Sequence, residues 1–347
     1  MNGDSVGYLI VGAGAISRQH AEAMRATQGA RLAGVCDADA ERARGFGEEW
    51  GVPWSTDLGA ALARPDVNAA AICTPSGLHA EQALAALRMG RHVLIEKPIA
   101  LGLEDADEIV AAGRERDLVV STVSQRRFEP VIQEIRRVLA SGVLGPVAYV
   151  EGTTLDYRPQ SYYASGAWRG TRALDGGALM NQGIHMVDLV RWLAGPIVRV
   201  AGQIATVAKE IEAEDTASAA VTFASGALGS LVATTSAYPG VPHDLRIHAE
   251  LGYIHLRGEA IAGWEVDGVP CPAAPDAGGA RVDAATWGTT FVGHARQYAD
   301  VTRAILDHRA PAISGLDGRN TLAVVLAVYD SAATGRIIEL TEIGENR

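Results

Sequence analysis

Apolar positions in the first third of the chain follow two periods in turn. Val6–Val11 is an apolar run that predicts a buried strand, and residues 16–25 then repeat at helical spacing. Residues 32–36 predict a second strand, 41–50 a helix with Asp39 as its cap, and 69–73 another buried strand. Ala83, Leu84 and Leu87 mark a helix over 79–89 that stops at Gly90, after which His92–Ile95 predicts a strand. A helix over 104–116 and a strand over 118–123 complete the series. Buried strands separated by helices imply a parallel sheet with crossover connections.

Beyond residue 124 the helices thin out and alternating runs appear at hairpin spacing, as in a largely antiparallel sheet. Residues 217–223 and 228–234 face each other across Ser225-Gly226, and 245–249 pairs with 253–256 across Leu251-Gly252. Phe291, Ala295, Tyr298, Val301 and Ile305 form a helical stripe, a last helix covers 322–333, and 270–283 reads as an irregular loop. The fold class is therefore α/β, with a domain over 1–124 and an α+β domain over 125–347.

Composition supports two globular cores: 347 residues, 48% hydrophobic and 20% charged. A formal charge of -11 repels phosphate backbones and anionic lipid, so neither nucleic acid nor a membrane is an expected partner. Cys36, Cys73 and Cys271 lie far apart, which predicts neither a disulfide framework nor a metal site and fits a reducing cytoplasm. No run approaches the ~18 apolar residues of a membrane span, and no signal peptide is expected.

Against this frame a few short segments stand out. Gly12-Ala13-Gly14-Ala15-Ile16-Ser17 lies between the first strand and first helix, where glycines let the backbone approach a pyrophosphate held at a helix N-terminus. Ser17 stands where a third glycine is usual. Asp37 ends the second strand, where a carboxylate accepts hydrogen bonds from ribose hydroxyls and repels a 2′-phosphate, favouring NAD over NADP; its plain alternative is a turn residue. Glu96-Lys97-Pro98 follows the strand 92–95 and falls at the carboxyl edge of the sheet, where ligands of open α/β folds bind. A partly desolvated lysine there can exchange a proton with an alcohol, although an ion pair with Glu96 explains the pair as simply.

In the second half, Gly176-Gly177 can open a helix that stops at Gly195-Pro196. Asn181, His185 and Asp188 are spaced i, i+4 and i+7, so they share one face: the imidazole meets a substrate hydroxyl, Asn181 fixes it and Asp188 orients the ring. A satisfied core histidine is the competing reading of His185. Gln125, Arg126 and Arg127 follow the last parallel strand, while Tyr157, Arg158, Trp168, Arg169 and Arg172 cluster before the 181–188 segment. Aromatics beside arginines suit a sugar with anionic groups.

These segments, with Cys73-Thr74-Pro75-Ser76, His79 and the run from Asp175-Gly176-Gly177 through His185 to Asp188, resemble the glucose-fructose oxidoreductase, inositol dehydrogenase and rhizopine-catabolism (Gfo/Idh/MocA) family over nearly the whole length. The resemblance implies a doubly wound Rossmann domain, then a domain with an open-faced, largely antiparallel sheet that serves homodimer or homotetramer contacts. It implies a bound nicotinamide cofactor, with Gly12, Gly14, Ala15, Ile16, Asp37, Thr74, Pro75, Ser76, His79, Glu96, Lys97 and Gln125 around it. It also implies a cis Lys97-Pro98 peptide and catalysis by Lys97 and His185, with Asn181 beside them. A sugar-like substrate would meet Lys97, Arg127, Tyr157, Arg169, Asn181 and His185.

The family commonly has an aspartate at the position of Asn181, and an amide cannot take up a proton at neutral pH. Base duty then falls on Lys97 or His185. Branches resembling nucleotide-sugar 3-dehydrogenases tolerate asparagine here, which brings a UDP-linked amino-sugar uronate into view beside sugars and cyclitols. The expected activity is NAD-dependent hydride transfer at a carbinol carbon. A non-catalytic NAD-binding regulator of the same fold and an NAD-dependent glycosidase are its competitors.

Overall fold

Six short strands line up side by side, the central ones having no polar face to turn outward. In chain order they are β1 (Val6–Val11), β2 (Ala30–Cys36), β3 (Trp54–Ser55), β4 (Ala69–Ile72), β5 (His92–Ile95) and β6 (Val120–Thr122), all parallel, in the order β3-β2-β1-β4-β5-β6. Every residue of β1 and β4 is buried. The strand order reverses between β1 and β4, which is where a doubly wound sheet opens for a ligand. Helices α1 (Ala15–Ala26), α2 (Ala40–Trp50), α3 (Leu58–Leu62), α4 (His79–Arg88) and α5 (Leu103–Glu115) make the crossovers. Asp39 caps α2 by accepting from the Glu41 and Arg42 amides, as its position in the sequence suggests. The short elements β3 and α3, the latter capped by Asp57, lie below the length at which a periodic signal shows.

This computed structural model describes residues 5–272 and 291–344. They divide into two units, residues 5–125 with 291–319, and 126–272 with 320–344. The first unit thus takes back a helix, α9 (Phe291–Leu306), that the sequence places in the domain over 125–347. The stripe was legible but its partner was not: Tyr298, Val301 and Ile305 enter one core with Tyr8, Met24 and Phe46, and the Tyr298 ring meets Tyr8 edge-on at 5.1 Å.

The second unit is built on eight strands: β7 (Val147–Leu155), β8 (Ile197–Ala205), β9 (Thr216–Phe223), β10 (Leu228–Thr234), β11 (Asp244–Ala249), β12 (Gly252–Arg257), β13 (Ala260–Val266) and β14 (Ile338–Glu339). Their order is β13-β12-β11-β7-β10-β9-β8-β14, antiparallel throughout except for the β7–β10 pair. Both expected hairpins form, with Thr222 opposite Leu228 and Ala249 opposite Gly252. Along β9 the residues Ala217, Ala219, Val221 and Phe223 are buried and those between them are not, so one face of the sheet is covered.

Helices α6 (Pro130–Ser141), α7 (Gln160–Ala164), α8 (Ile184–Ala194) and α10 (Gly315–Thr334) complete the chain. α8 lies close on β7 because Gly152 carries no side chain: a Cβ there would sit 2.6 Å from Met186 Cγ. α10 begins well before the predicted residue 322, at a capping box in which Ser314 and Asp317 exchange backbone-to-side-chain hydrogen bonds. Among the described residues no helix is long and apolar enough to cross a membrane. Of the loop read over 270–283, all but residues 270–272 lie outside the described residues.

Candidate active site

The turn between β1 and α1 has the form an anion requires. Gly12 adopts φ 96°, and a Cβ on it would come within 2.9 Å of the Cys73 backbone and the Thr74 side chain. Gly14 is the N-cap of α1 and brings no side chain to cap the helix, while nothing lies within 4 Å of the space its Cβ would take. Ser17 is buried and its hydroxyl bonds back to the Gly14 carbonyl at 2.5 Å, holding the turn closed from within. The amides of Ala15 and Ile16 therefore open a helix that no residue of its own first turn neutralises.

Asp37 joins this turn to the next: Oδ2 accepts the Ala13 N–H at 2.7 Å and Oδ1 that of Asp39, between β2 and α2, at 2.8 Å. It is thus the turn-former of its plain reading, and each oxygen retains a second lone pair for a ribose hydroxyl. After β4, Thr74 bonds Gln82 at 2.6 Å, with Pro75 and Ser76 leading into α4. His79 faces inward: it is 1% exposed, with Nδ1 2.7 Å from the Pro98 carbonyl and Nε2 2.9 Å from that of Thr74. Burial lowers its pKa against the opposing pull of those carbonyls. Gln125 is buried, and its Oε1 has no hydrogen-bond partner among the described residues.

Glu96 turns its carboxylate toward the interior. Its Oε1 accepts from His20 Nε2 at 2.9 Å and lies 3.6 Å from His294 Nε2, while Oε2 accepts the Lys97 backbone N–H at 3.1 Å. Burial drives its carboxyl pKa up, but the two histidines and the Lys97 charge outweigh this and hold it well below the ordinary range. Lys97 itself is half-buried, and the Lys97-Pro98 peptide is cis. His20, Glu96 and His294 also form a group with metal-ligand chemistry, where the sequence predicted none.

In the second unit, the segment before α8 is a π-helical turn, Leu179–Gly183, and not the start of a regular helix. Such a turn holds one residue more than an α turn, so the spacing from Asn181 to His185 no longer follows a regular helix, while His185 and Asp188 keep theirs within α8. Asn181 Nδ2 donates to Asp175 Oδ1, and Asp188 pairs with Arg127. The second Asp175 oxygen accepts the Gly170 N–H at 2.7 Å, so one buried carboxylate joins Asn181 to the residue after Arg169. Behind the turn, the Glu214 carbonyl accepts the Ala178 N–H and its carboxylate accepts from Leu179 N–H and the Tyr329 hydroxyl, each at 2.9 Å. Burial raises the Glu214 pKa. Gly177 packs so tightly on Glu214 that a Cβ would overlap its carboxylate.

Arg127 is 2% exposed with its fork on Asp188, which makes it an anchor of α8 and not the substrate contact expected of it. Arg169 and Tyr157, both expected at the substrate, each sit in a cation–ring contact. Arg169 lies over the rings of Tyr162 and Trp168, 4.2 and 4.4 Å from their centroids, and donates to the Tyr162 hydroxyl at 2.6 Å. Arg158 lies 5.2 Å from the Tyr162 ring, and Lys209 lies 4.6 Å from that of Tyr157, which meets Tyr238 edge-on.

Two family models match: "Oxidoreductase family, NAD-binding Rossmann fold" over residues 6–124, and "GFO/IDH/MocA C-terminal domain" over 132–255. The chain is 31% identical to the 1,5-anhydro-D-fructose reductase of Ensifer adhaerens, over 95% of this chain and 97% of that one. It belongs to the Gfo/Idh/MocA family. The 4-carboxy-2-hydroxymuconate-6-semialdehyde dehydrogenase of Sphingobium is 33% identical over 55% of this chain, a match that spans only 59% of that protein. Among solved structures, the WlbA dehydrogenase from Bordetella pertussis in complex with NADH and UDP-GlcNAcA superposes with a TM-score of 0.88, at 32% identity, covering 97% of this chain and 98% of that one.

As a Gfo/Idh/MocA protein the chain binds NAD, and the uncapped start of α1, the open space at Gly14 and the acid at Asp37 fit that cofactor. Three side chains that organise this Gfo/Idh/MocA protein escaped sequence reasoning: His20, Glu214 and His294; Asp175 was read as part of a motif, without its bonds to Gly170 and Asn181. Of the three, His20 left a trace, as a polar residue on the apolar side of α1 between Ser17 and Ala21.

Proposed function

We propose that the chain is an NAD-dependent dehydrogenase acting at a carbinol carbon of an anionic sugar, of the nucleotide-linked uronate class. The observation that carries this reading is the set of cations laid on aromatic rings, Arg158, Arg169 and Lys209 on Tyr157, Tyr162 and Trp168, with Arg169 linked through Gly170 and Asp175 to Asn181. Flat rings stack on a sugar or base, and guanidinium groups fit carboxylate and phosphate. The solved relative bound to UDP-GlcNAcA supports the same class.

The bound nicotinamide supplies the hydride acceptor. Lys97 and His185 are the proton-transfer groups, one of them taking the hydroxyl proton as the C–H bond breaks. Asn181 positions the hydroxyl and carries no proton, its amide being held by Asp175. Homodimer or homotetramer contacts use the uncovered face of the eight-stranded sheet.

The test is a screen of NAD and NADP against UDP-GlcNAcA, UDP-GlcNAc, free uronates, neutral sugars and inositols, followed by nicotinamide absorbance. Turnover restricted to the anionic nucleotide sugar is expected. Turnover with neutral sugars or inositols alone defeats the substrate class, and NAD binding with no turnover of any of them points to a regulator. Lys97→Ala and His185→Ala are each expected to lose roughly 10²- to 10⁴-fold in rate while still binding NAD.

A further inference from the structure

The first unit holds a buried ionisable cluster that the reaction above does not use. Three atoms of His20, Glu96 and His294 lie within 4.8 Å of one another, with all three residues buried. A tetrahedral ion with bonds of about 2.0–2.1 Å would separate its ligands by about 3.3 Å. The 2.9 Å from His20 Nε2 to Glu96 Oε1 is instead a hydrogen bond. His20 Nδ1 meets the Tyr298 hydroxyl at 2.8 Å, which sets the tautomer: Tyr298 donates to Nδ1, and Nε2–H donates to the carboxylate. Burial lowers the His20 pKa, against the pull of Glu96. Neither ring nitrogen of His294 has a hydrogen-bond partner among the described residues, and its Nε2 points at the same oxygen from 3.6 Å.

Around the carboxylate stand His20 from α1, His294 and Tyr298 from α9, Cys73 at the end of β4, His79 from α4 and Lys97 beside it. Burial raises the Cys73 and Tyr298 pKa values and lowers those of His20 and His79. The Lys97 ammonium is the cation that acts on this carboxylate from beside it. A negative charge has been built into the interior one residue before that ammonium, at the end of β5.

We propose that Glu96 compensates charge at the cofactor, making the first unit prefer the cationic nicotinamide of NAD+ to the neutral ring of NADH. In an open sheet the ligand lies beyond the carboxyl ends of the strands at the order reversal, here between β1 and β4. With the pyrophosphate on the β1–α1 turn, the ring end belongs to the β4–β5–β6 side, where Glu96 and Lys97 follow β5. An ammonium there repels an oxidised ring. Glu96 cannot touch that ring, since Oε1 is held by His20 and Oε2 by the Lys97 N–H. It acts through a poorly screened interior, where one unit of charge is felt over several ångströms. The two redox states of the cofactor differ by that one unit.

The proposal rests on NAD binding and not on the substrate class, so calorimetric titration with NAD+, NADH and ADP-ribose tests it. Glu96→Gln keeps the shape, leaves an acceptor for the Lys97 N–H, and can donate to His20 in its other tautomer. NAD+ affinity should fall about five- to tenfold while NADH and ADP-ribose stay within about twofold. Equal loss for all three ligands would reduce Glu96 to a structural part, and an unchanged ratio of NAD+ to NADH affinity would overturn the proposal outright. Should Glu96→Gln fail to fold, His294→Leu decides, because it removes one support of the carboxylate and leaves the Lys97 bond. Its NAD+ to NADH affinity ratio should drop from about pH 8 to about pH 6 as the carboxyl takes up a proton, against a flat wild-type ratio. A flat ratio in His294→Leu refutes it.

Discussion

Arg127 and Asp188 close a two-point ion pair in the interior, Nε to Oδ2 at 2.8 Å and Nη2 to Oδ1 at 2.6 Å. The Thr321 hydroxyl adds a bond to Oδ1 at 3.0 Å, and the guanidinium lies 5.4 Å from the Trp192 ring centroid. The pair fastens the stretch before α6 to α8 one turn beyond His185.

Removing one partner leaves the other charge buried alone. Asp188→Ala is expected to destabilise the fold by about 3–5 kcal/mol, and the apolar double replacement Arg127→Met with Asp188→Leu to regain most of that loss. Urea denaturation of the two single variants and the double variant checks this; a double variant as weak as Asp188→Ala would contradict it.

Asn181 donates to Asp175, so Asn181→Asp sets two carboxylates against each other. One of them must then titrate above its unfolded value. An acid whose folded pKa is raised stabilises the fold at low pH and loses that contribution as pH rises. The variant should melt below wild type at about pH 7, with the gap narrowing toward about pH 4. Thermal melts across that range would show a constant gap if the two side chains did not interact.

Asp37 carries both the turn and the ribose preference. Asp37→Ser combined with a nearby arginine should shift the affinity ratio from NAD toward NADP, and it should weaken NAD because the Ala13 and Asp39 amides lose their acceptor. Titration with both cofactors measures this, and an unchanged ratio would leave Asp37 as a turn residue only.

His92 offers a pH test of the first unit. Its Nδ1 accepts the Val119 N–H at 2.9 Å, which only the neutral ring can do, and burial lowers its pKa to about 4. Between the unfolded value of 6.5 and about 4 the unfolded chain binds a proton that the folded chain refuses, so stability falls as pH falls through that window. Below it this group adds no further loss. His20, His79 and His243 are shifted the same way, so the share of His92 is the difference between wild type and His92→Asn. Denaturation midpoints of the two at several pH values would run parallel if the Val119 bond were incidental.

The parallel sheet was readable because strands buried on both faces, such as β1 and β4, must be apolar runs. β7 was not, since its glycine and glutamate answer to partners elsewhere: Gly152 makes way for Met186 and Val190, and Glu151 pairs with Arg246. The stripe of α9 revealed a helix but not the core it enters. Motif positions such as Gly12, Asp37 and Lys97 could be read because each follows a strand end. Inward contacts could not: nothing in the spacing says that Glu96 meets His20 and His294, or that Arg127 is held by Asp188.

The extra residue in the Leu179–Gly183 turn fixes the rotational phase of everything after it. Each residue of a regular helix advances the chain by about 100° around the axis, so deleting one residue from this turn would restore an ordinary helix and swing the His185 imidazole by roughly that angle. Such a protein would be smoother in its backbone and would aim His185 away from where the proposed reaction needs it.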